Sequence, residues 1–158
     1  MPLHDVTIDT NVLMHACNPI ENRHTDSIEF INALLNSATM LAMDEGFSVD
    51  PGQNRSLIGA EYLAKLVPGS ISSVAIIQLA LSGRVVVVES RILPQLSKKL
   101  NQMVANRRDR TFVKVAANSN GAHLVSHDYV DFAQAKRKNI HKTFGVSMID
   151  ASACKIKL

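Results

Sequence analysis

Tryptophan is absent from this chain of 158 residues, cysteine occurs only twice, and aromatic residues make up 4%. So few flat side chains argue against a platform on which nucleobases stack. Cys17 and Cys154 stand too far apart in sequence for a CxxC redox pair or a metal knuckle, and are expected as free thiols. The six histidines show no HExxH or paired zinc spacing, which excludes the common zinc hydrolases. No GxxxxGK[ST] or GxGxxG loop is present to cradle a nucleotide, and no Gly-x-Ser-x-Gly elbow to present a serine nucleophile. No apolar run approaches the about 20 residues that cross a bilayer. The opening residues lack the basic and apolar regions of a secretory signal, so a cytoplasmic chain is expected.

What is present describes a folded domain. Hydrophobic residues make up 46% and charged residues 20%, enough apolar surface for one core over residues 1–158 without disulfides. The net charge of +3 hides a division. Residues 1–90 hold four basic and ten acidic residues; residues 91–158 hold thirteen and four. An acidic focus beside a basic surface suits a metal site that meets a polyanion.

Short β-rich runs alternate with helical ones. Val6–Ile8, Met40–Met43, Val85–Val88, His123–Ser126 and a stretch near Phe144–Met148 read as strands. The four consecutive valines suit a strand covered on both faces. Helices are expected over Asp26–Ser37, opened by an Asp26…Glu29 capping box, and over Ser56–Leu66 and Ser72–Leu81. Further helices are expected from Pro94 and from about Asp109 to Ser119, with a short helical stretch after Asp128. The pattern predicts an α/β fold, a three-layer sandwich around a mostly parallel sheet of about five strands. Ligands bind such sheets beyond the carboxyl ends of the strands.

Acids stand at those ends: Asp9, Asp44, Glu89 and Asp128 each follow a strand. Two more lie on inward helix stripes. Glu61 shares a face with Leu57, Ile58 and Ala64, and Asp109 with Phe112, Val113 and Ala116. Each has a structural alternative. Glu61 could pair with Lys65, and Asp109 could cap its helix or pair with Arg107, Arg108 or Arg110. Carboxylates gathered in one pocket repel unless neutralised, and hard oxygen ligands select Mg²⁺ or Mn²⁺. The basic residues Lys98, Lys99, Arg107, Arg108, Arg110, Lys136, Arg137 and Lys138 are the candidate phosphate contacts.

In this order the segments resemble the PIN-domain (PilT N-terminus-like) nucleases. Val6-Thr7-Ile8-Asp9-Thr10-Asn11-Val12-Leu13 resembles the opening strand with its Asp-Thr-Asn signature, and Ala60-Glu61-Tyr62-Leu63 the helical glutamate. Asp109–Ala116 is similar to the later acidic helix, and Leu124–Phe132 to the fourth strand with its Ser/Thr-x-Asp-x-x-Asp-Phe ending. The resemblance implies a Mg²⁺- or Mn²⁺-dependent endoribonuclease. It makes Asp9, Glu61, Asp109 and Asp128 the catalytic, metal-holding acids, with Asp131 as an additional ligand. Asn11 or Thr10 would orient Asp9, and Ser126 would contact a metal-bound water or a phosphate. Asp44 or Glu45 competes with Glu61 for the second acid, and His127 is expected at the surface. The partners implied are an RNA substrate, an antitoxin or other regulatory protein, and a second copy in a homodimer, with no membrane. Two alternatives stand beside this: an inactive module of the same fold binding RNA or protein, and a phosphate-handling or receiver-like α/β domain.

Overall fold

The computed structural model describes all residues from Met1 to Leu158. Five strands, β1 (Asp5–Ile8), β2 (Met40–Asp44), β3 (Val85–Val88), β4 (His123–Val125) and β5 (Ser147–Ile149), form one sheet in the order β3-β2-β1-β4-β5. Every neighbouring pair is parallel. Parallel strands need crossovers, and helices supply them. These are α1 (Thr10–His15), α2 (His24–Leu35), α3 (Leu57–Lys65), α4 (Ile71–Leu81), α5 (Pro94–Met103), α6 (Arg107–Asn118), α7 (Gln134–Phe144) and α8 (Ala151–Lys155). No helix is long and apolar enough to cross a membrane.

Central strands are buried because both their faces are covered. β1 and most of β2 are inaccessible, and Phe30, Phe112 and Phe132 fill the layers around them. At the start of β1, the Asp5 carboxylate accepts the backbone N–H groups of Asn120 and Gly121 at 3.2 and 2.9 Å. That contact ties the α6–β4 turn to the sheet, and a Cβ at position 121 would lie 2.0 Å from the Asp5 carbonyl oxygen. Cys17 and Cys154 are both free thiols, as their separation predicts.

Several local expectations are corrected. β3 is the edge of the sheet rather than a strand covered on both faces; its valines are half-buried and Val87 is exposed. Helix α2 begins at His24, with no side-chain cap, so Asp26 lies inside its first turn. Ser56, Ser70 and Asn106 cap α3, α4 and α6 through their side chains, which excludes Asp109 as a cap. After Asp128 comes a full helix, α7. It runs through Phe144 and stops because Gly145 takes the left-handed conformation at φ 74°, which delays β5 to Ser147.

Candidate functional site

β1 and β4 are neighbours in the sheet, so the residues that follow them meet above its carboxyl edge. Asp9 leaves β1 directly and is buried. Its Oδ2 accepts a hydrogen bond from Ser126 Oγ at 2.7 Å and another from Asn11 Nδ2 at 3.1 Å. The same two residues hold the β4 side: Ser126 Oγ accepts from the Asp128 N–H, and Asn11 Oδ1 from the His127 N–H, each at 3.1 Å. Asp128 Oδ1 in turn accepts the N–H groups of Val130 and Asp131, folding the turn that brings Asp131 back toward Asp128.

Helices α3 and α6 pack together and bring two more carboxylates to this place. Tyr62, fully buried, donates its hydroxyl to the Ile8 carbonyl and so fixes the register of α3 against β1. Its neighbour Glu61 is thereby set beside the end of that strand. Asp109 lies in the first turn of α6, where Asn106 aligns the helix start by accepting the Arg108 N–H.

The five acids form one electrostatic unit. Carboxylate oxygens of Asp109, Asp128 and Asp131 lie within 4.8 Å of one another. Burial, then repulsion from Asp9, Asp131, Asp128 and Glu61, pushes the Asp109 carboxyl up to about 7. Asp9 is raised to about 6, by burial first and then by Glu61 and Asp128, although hydrogen bonds from the Ser126 side chain and the Asn11 backbone pull the other way. The favourable position of Asp109 at a helix N-terminus does not offset this crowding. Glu61 Oε2 is buried with no hydrogen-bond partner. Its nearest cation is the Arg108 Nε at 4.0 Å, not Lys65. A buried carboxylate oxygen with no hydrogen bond, and only one exposed guanidinium at 4.0 Å, among mutually repelling acids is the condition that a cation relieves. Asp109, Asp128 and Asp131 offer hard oxygens within reach of one cation, which suits Mg²⁺ or Mn²⁺, while Asp9 and Glu61 stand outside that trio and couple to it through charge.

Other expected site residues lie elsewhere in the chemistry. The Asp44 carboxylate accepts Ser56 Oγ and the N–H groups of Leu57 and Ile58, so it caps the start of α3 and is spent there. Glu45 holds Ser90 through both its N–H and its hydroxyl. Between the competing second acids, Glu61 is therefore the one in the cluster. Thr10 Oγ1 is buried without a partner, so Asn11 alone of the two orients Asp9. Ser126 is fully buried and bonded to Asp9, a positioning residue rather than one open to a water or phosphate.

Among the basic candidates, Lys98, Lys99, Arg107, Arg108 and Lys138 are exposed, and Arg110 and Lys136 are half-buried. Arg107, Arg108 and Arg110 flank Asp109 on the first turn of α6. Arg137 is buried instead. Its guanidinium donates to the carbonyls of Phe132, Met148, Ser126 and Asp128 and stacks on the Tyr129 ring. It braces the turn carrying Asp128 and Asp131.

His127 is buried too, contrary to the expected surface position. Its Nε2 accepts the Ala151 N–H at the start of α8, which places the ring proton on Nδ1, facing His15 Nδ1 at 2.9 Å. Burial and the nearby Arg23 hold its imidazole down to about 4, so it stays neutral. Nothing in the sequence flanking His127 marks this role; the partner ring lies 112 residues away.

No protein-family model matches the chain, and no curated protein and no solved structure matches it. The site stands on its own geometry.

Proposed function

We propose that this protein is a Mg²⁺- or Mn²⁺-dependent endoribonuclease of PIN-like architecture, with Asp9, Glu61, Asp109 and Asp128 holding the metal and Asp131 assisting. One observation carries the reading: five acids from four segments of the chain form one electrostatic cluster at the carboxyl edge of a parallel sheet, with Asp9 and Asp109 raised far above ordinary carboxylates. A fold keeps such mutual repulsion where a ligand removes it, and perturbed titration is characteristic of functional pockets. The chemistry a divalent ion supplies when bound is stabilisation of charge building on a phosphodiester and activation of water for attack.

The chain's own residues divide the remaining work. Ser126 and Asn11 hold Asp9 in one orientation, and Arg137 and the Asp128 turn hold Asp128 and Asp131. Arg107, Arg108 and Arg110 offer positive charge at the rim, suited to the RNA backbone. An alternative receiver-like reading wants a second acid beside Asp9, where Thr10 and Asn11 stand.

The deciding experiment is Asp9→Asn assayed for RNA cleavage with Mg²⁺ and Mn²⁺. Loss of about a hundredfold or more in rate is expected, since an electrostatic ligand to the reacting centre is removed. Cleavage at the wild-type rate would refute the reading.

A further inference from the structure

The loop between β2 and α3 does not close down on the helices beside it. Phe47 and Val49 of the loop, Tyr62 and Leu66 at α3 and Ile76 of α4 line a cavity of about 190 Å³ that remains between them. Two devices hold its wall in place. Gly46 takes the left-handed conformation at φ 82°, and its carbonyl accepts the Arg55 N–H at 2.8 Å, which closes the base of the loop. Within the loop, Asn54 accepts the Ser48 N–H and donates to the Ser56 carbonyl at the start of α3. Gly59 makes room for that side chain, since a Cβ there would lie 2.5 Å from Asn54 Oδ1. Loop and helix are thus fastened to each other while the apolar space beside them stays unfilled. Protein interiors seldom keep a void much wider than a water molecule, so an opening of this size with a fastened wall has the character of a preformed ligand site.

The lining defines what enters. No charged residue and no histidine faces the cavity, which excludes phosphates, carboxylates and amines. The Tyr62 hydroxyl is spent on the Ile8 carbonyl, so Tyr62 offers its ring, and Phe47 offers a second one. Aromatic walls favour an aromatic guest through edge-to-face and offset contacts. Size restricts the guest further. An apolar cavity of roughly 150 Å³ stays dry and takes benzene, whereas drug-sized ligands need roughly 300 Å³ or more. At about 190 Å³ this one admits a single ring with a small substituent, or a compact fused pair. Ser48 and Ser73 are the polar side chains at the wall. Ser48 Oγ accepts the Asp50 N–H, whereas no neighbour engages the Ser73 hydroxyl, which is left for one polar group on the guest.

We propose that this cavity is a binding site for a small uncharged aromatic molecule of the size of phenol or indole, held by the Tyr62 and Phe47 rings and by one hydrogen bond to Ser73. None of the clustered acids lines it, and it holds whether or not the chain cleaves RNA.

Thermal melts and NMR of the full chain test it. Indole at ten times its dissociation constant should raise Tm by about 3–5 °C. Its protons should also show intermolecular NOEs to the Ile76 and Ile77 methyl groups. Benzoate, a ring of similar size that carries a charge, should give neither effect. Ile77→Trp fills the space and should abolish indole binding with unchanged circular dichroism. Ser73→Ala should weaken phenol several-fold and leave toluene as it was. Should Ile77→Trp fail to fold, the methyl NOEs of the wild type decide the matter. Absence of both indole effects overturns the proposal. So do NOEs confined to residues outside the cavity, equal binding of benzoate, phenol binding untouched in Ser73→Ala, or a folded Ile77→Trp that takes indole as the wild type does.

Discussion

Ser126 Oγ donates to Asp9 Oδ2 at 2.7 Å and at the same time accepts the Asp128 N–H at 3.1 Å. One hydroxyl therefore spaces two acids that come from adjacent strands and are 119 residues apart in sequence. It favours the ionised form of Asp9 against burial and against its acidic neighbours. Ser126→Ala should leave Asp9 harder to ionise. A hydrogen bond to a charged group is worth about 1.5–3 kcal/mol, so Mn²⁺ affinity at neutral pH should fall roughly 10- to 100-fold. The midpoint of the pH profile should also move upward. Calorimetric titration with Mn²⁺ at several pH values measures both.

Asp109 gives a stability prediction with a definite sign. Its carboxyl rises from 3.8 to about 7 on folding, so its contribution is fully present below pH 4 and is lost as pH climbs through 7. Asp109→Asn should therefore stabilise the metal-free protein at pH 8 by on the order of 1 kcal/mol after solvent screening, about 2–4 °C in Tm. His127 works in the opposite direction, since it folds neutral and loses stability as pH falls from 6.5 through about 4. Asp9, raised to about 6, also loses stability as pH climbs in that window, so the histidine slope should emerge once both acids are neutralised: in Asp9→Asn/Asp109→Asn, Tm should rise with pH from 4 to 6.5. Thermal melts across that range, without metal, read both effects.

Asp44 and Glu61 should separate cleanly. Asp44→Ala removes the acceptor for three donors at the start of α3 and should cost about 2 kcal/mol, while Mn²⁺ still raises Tm. Glu61→Gln should leave metal-free stability near wild type and abolish much of the Mn²⁺-dependent rise. Melting curves with and without millimolar Mn²⁺ distinguish the two, and a normal Mn²⁺ response in Glu61→Gln would remove Glu61 from the metal-holding set.

The basic residues should divide likewise. Lysine cannot reproduce a guanidinium that donates to four carbonyls, so Arg137→Lys should cost about 2–4 kcal/mol. Arg108→Ala should leave stability intact and weaken RNA binding, lowering the salt dependence of affinity by about one unit of slope. Denaturant melts and filter binding at two salt concentrations test the pair.

The strands, the alternation with helices and the inward acids were legible because they depend on local patterning. An apolar run that stops at Asp, or an acid in phase with a buried stripe, carries its placement with it; Asp9 and Asp109 lie where those patterns put them, whereas Leu57 and Ala64 of the stripe assigned to Glu61 are exposed, and it is the buried Tyr62 beside it that sets Glu61 in place. What depends on long-range neighbours was not legible. Asp44 reads as another strand-end acid until α3 is docked against it, 12 residues on. Arg137 sits between two lysines, a solvated run by composition, and only the folded Asp128 turn supplies its carbonyls. Strand order is likewise a tertiary choice. Four valines are equally suited to a centre or an edge, and nothing within them records that β2 has β1 on its other side.

That placement of β3 has a price in solution behaviour. Its outer margin is four β-branched residues long and carries none of the lysines, prolines or bulges that discourage sheet extension. Partly unfolded molecules, once warmed, meet a ready template for strand addition there. Heating should accordingly end in precipitation that sharpens with concentration and with slower scan rate, and a lysine at Val87 should make the transition reversible.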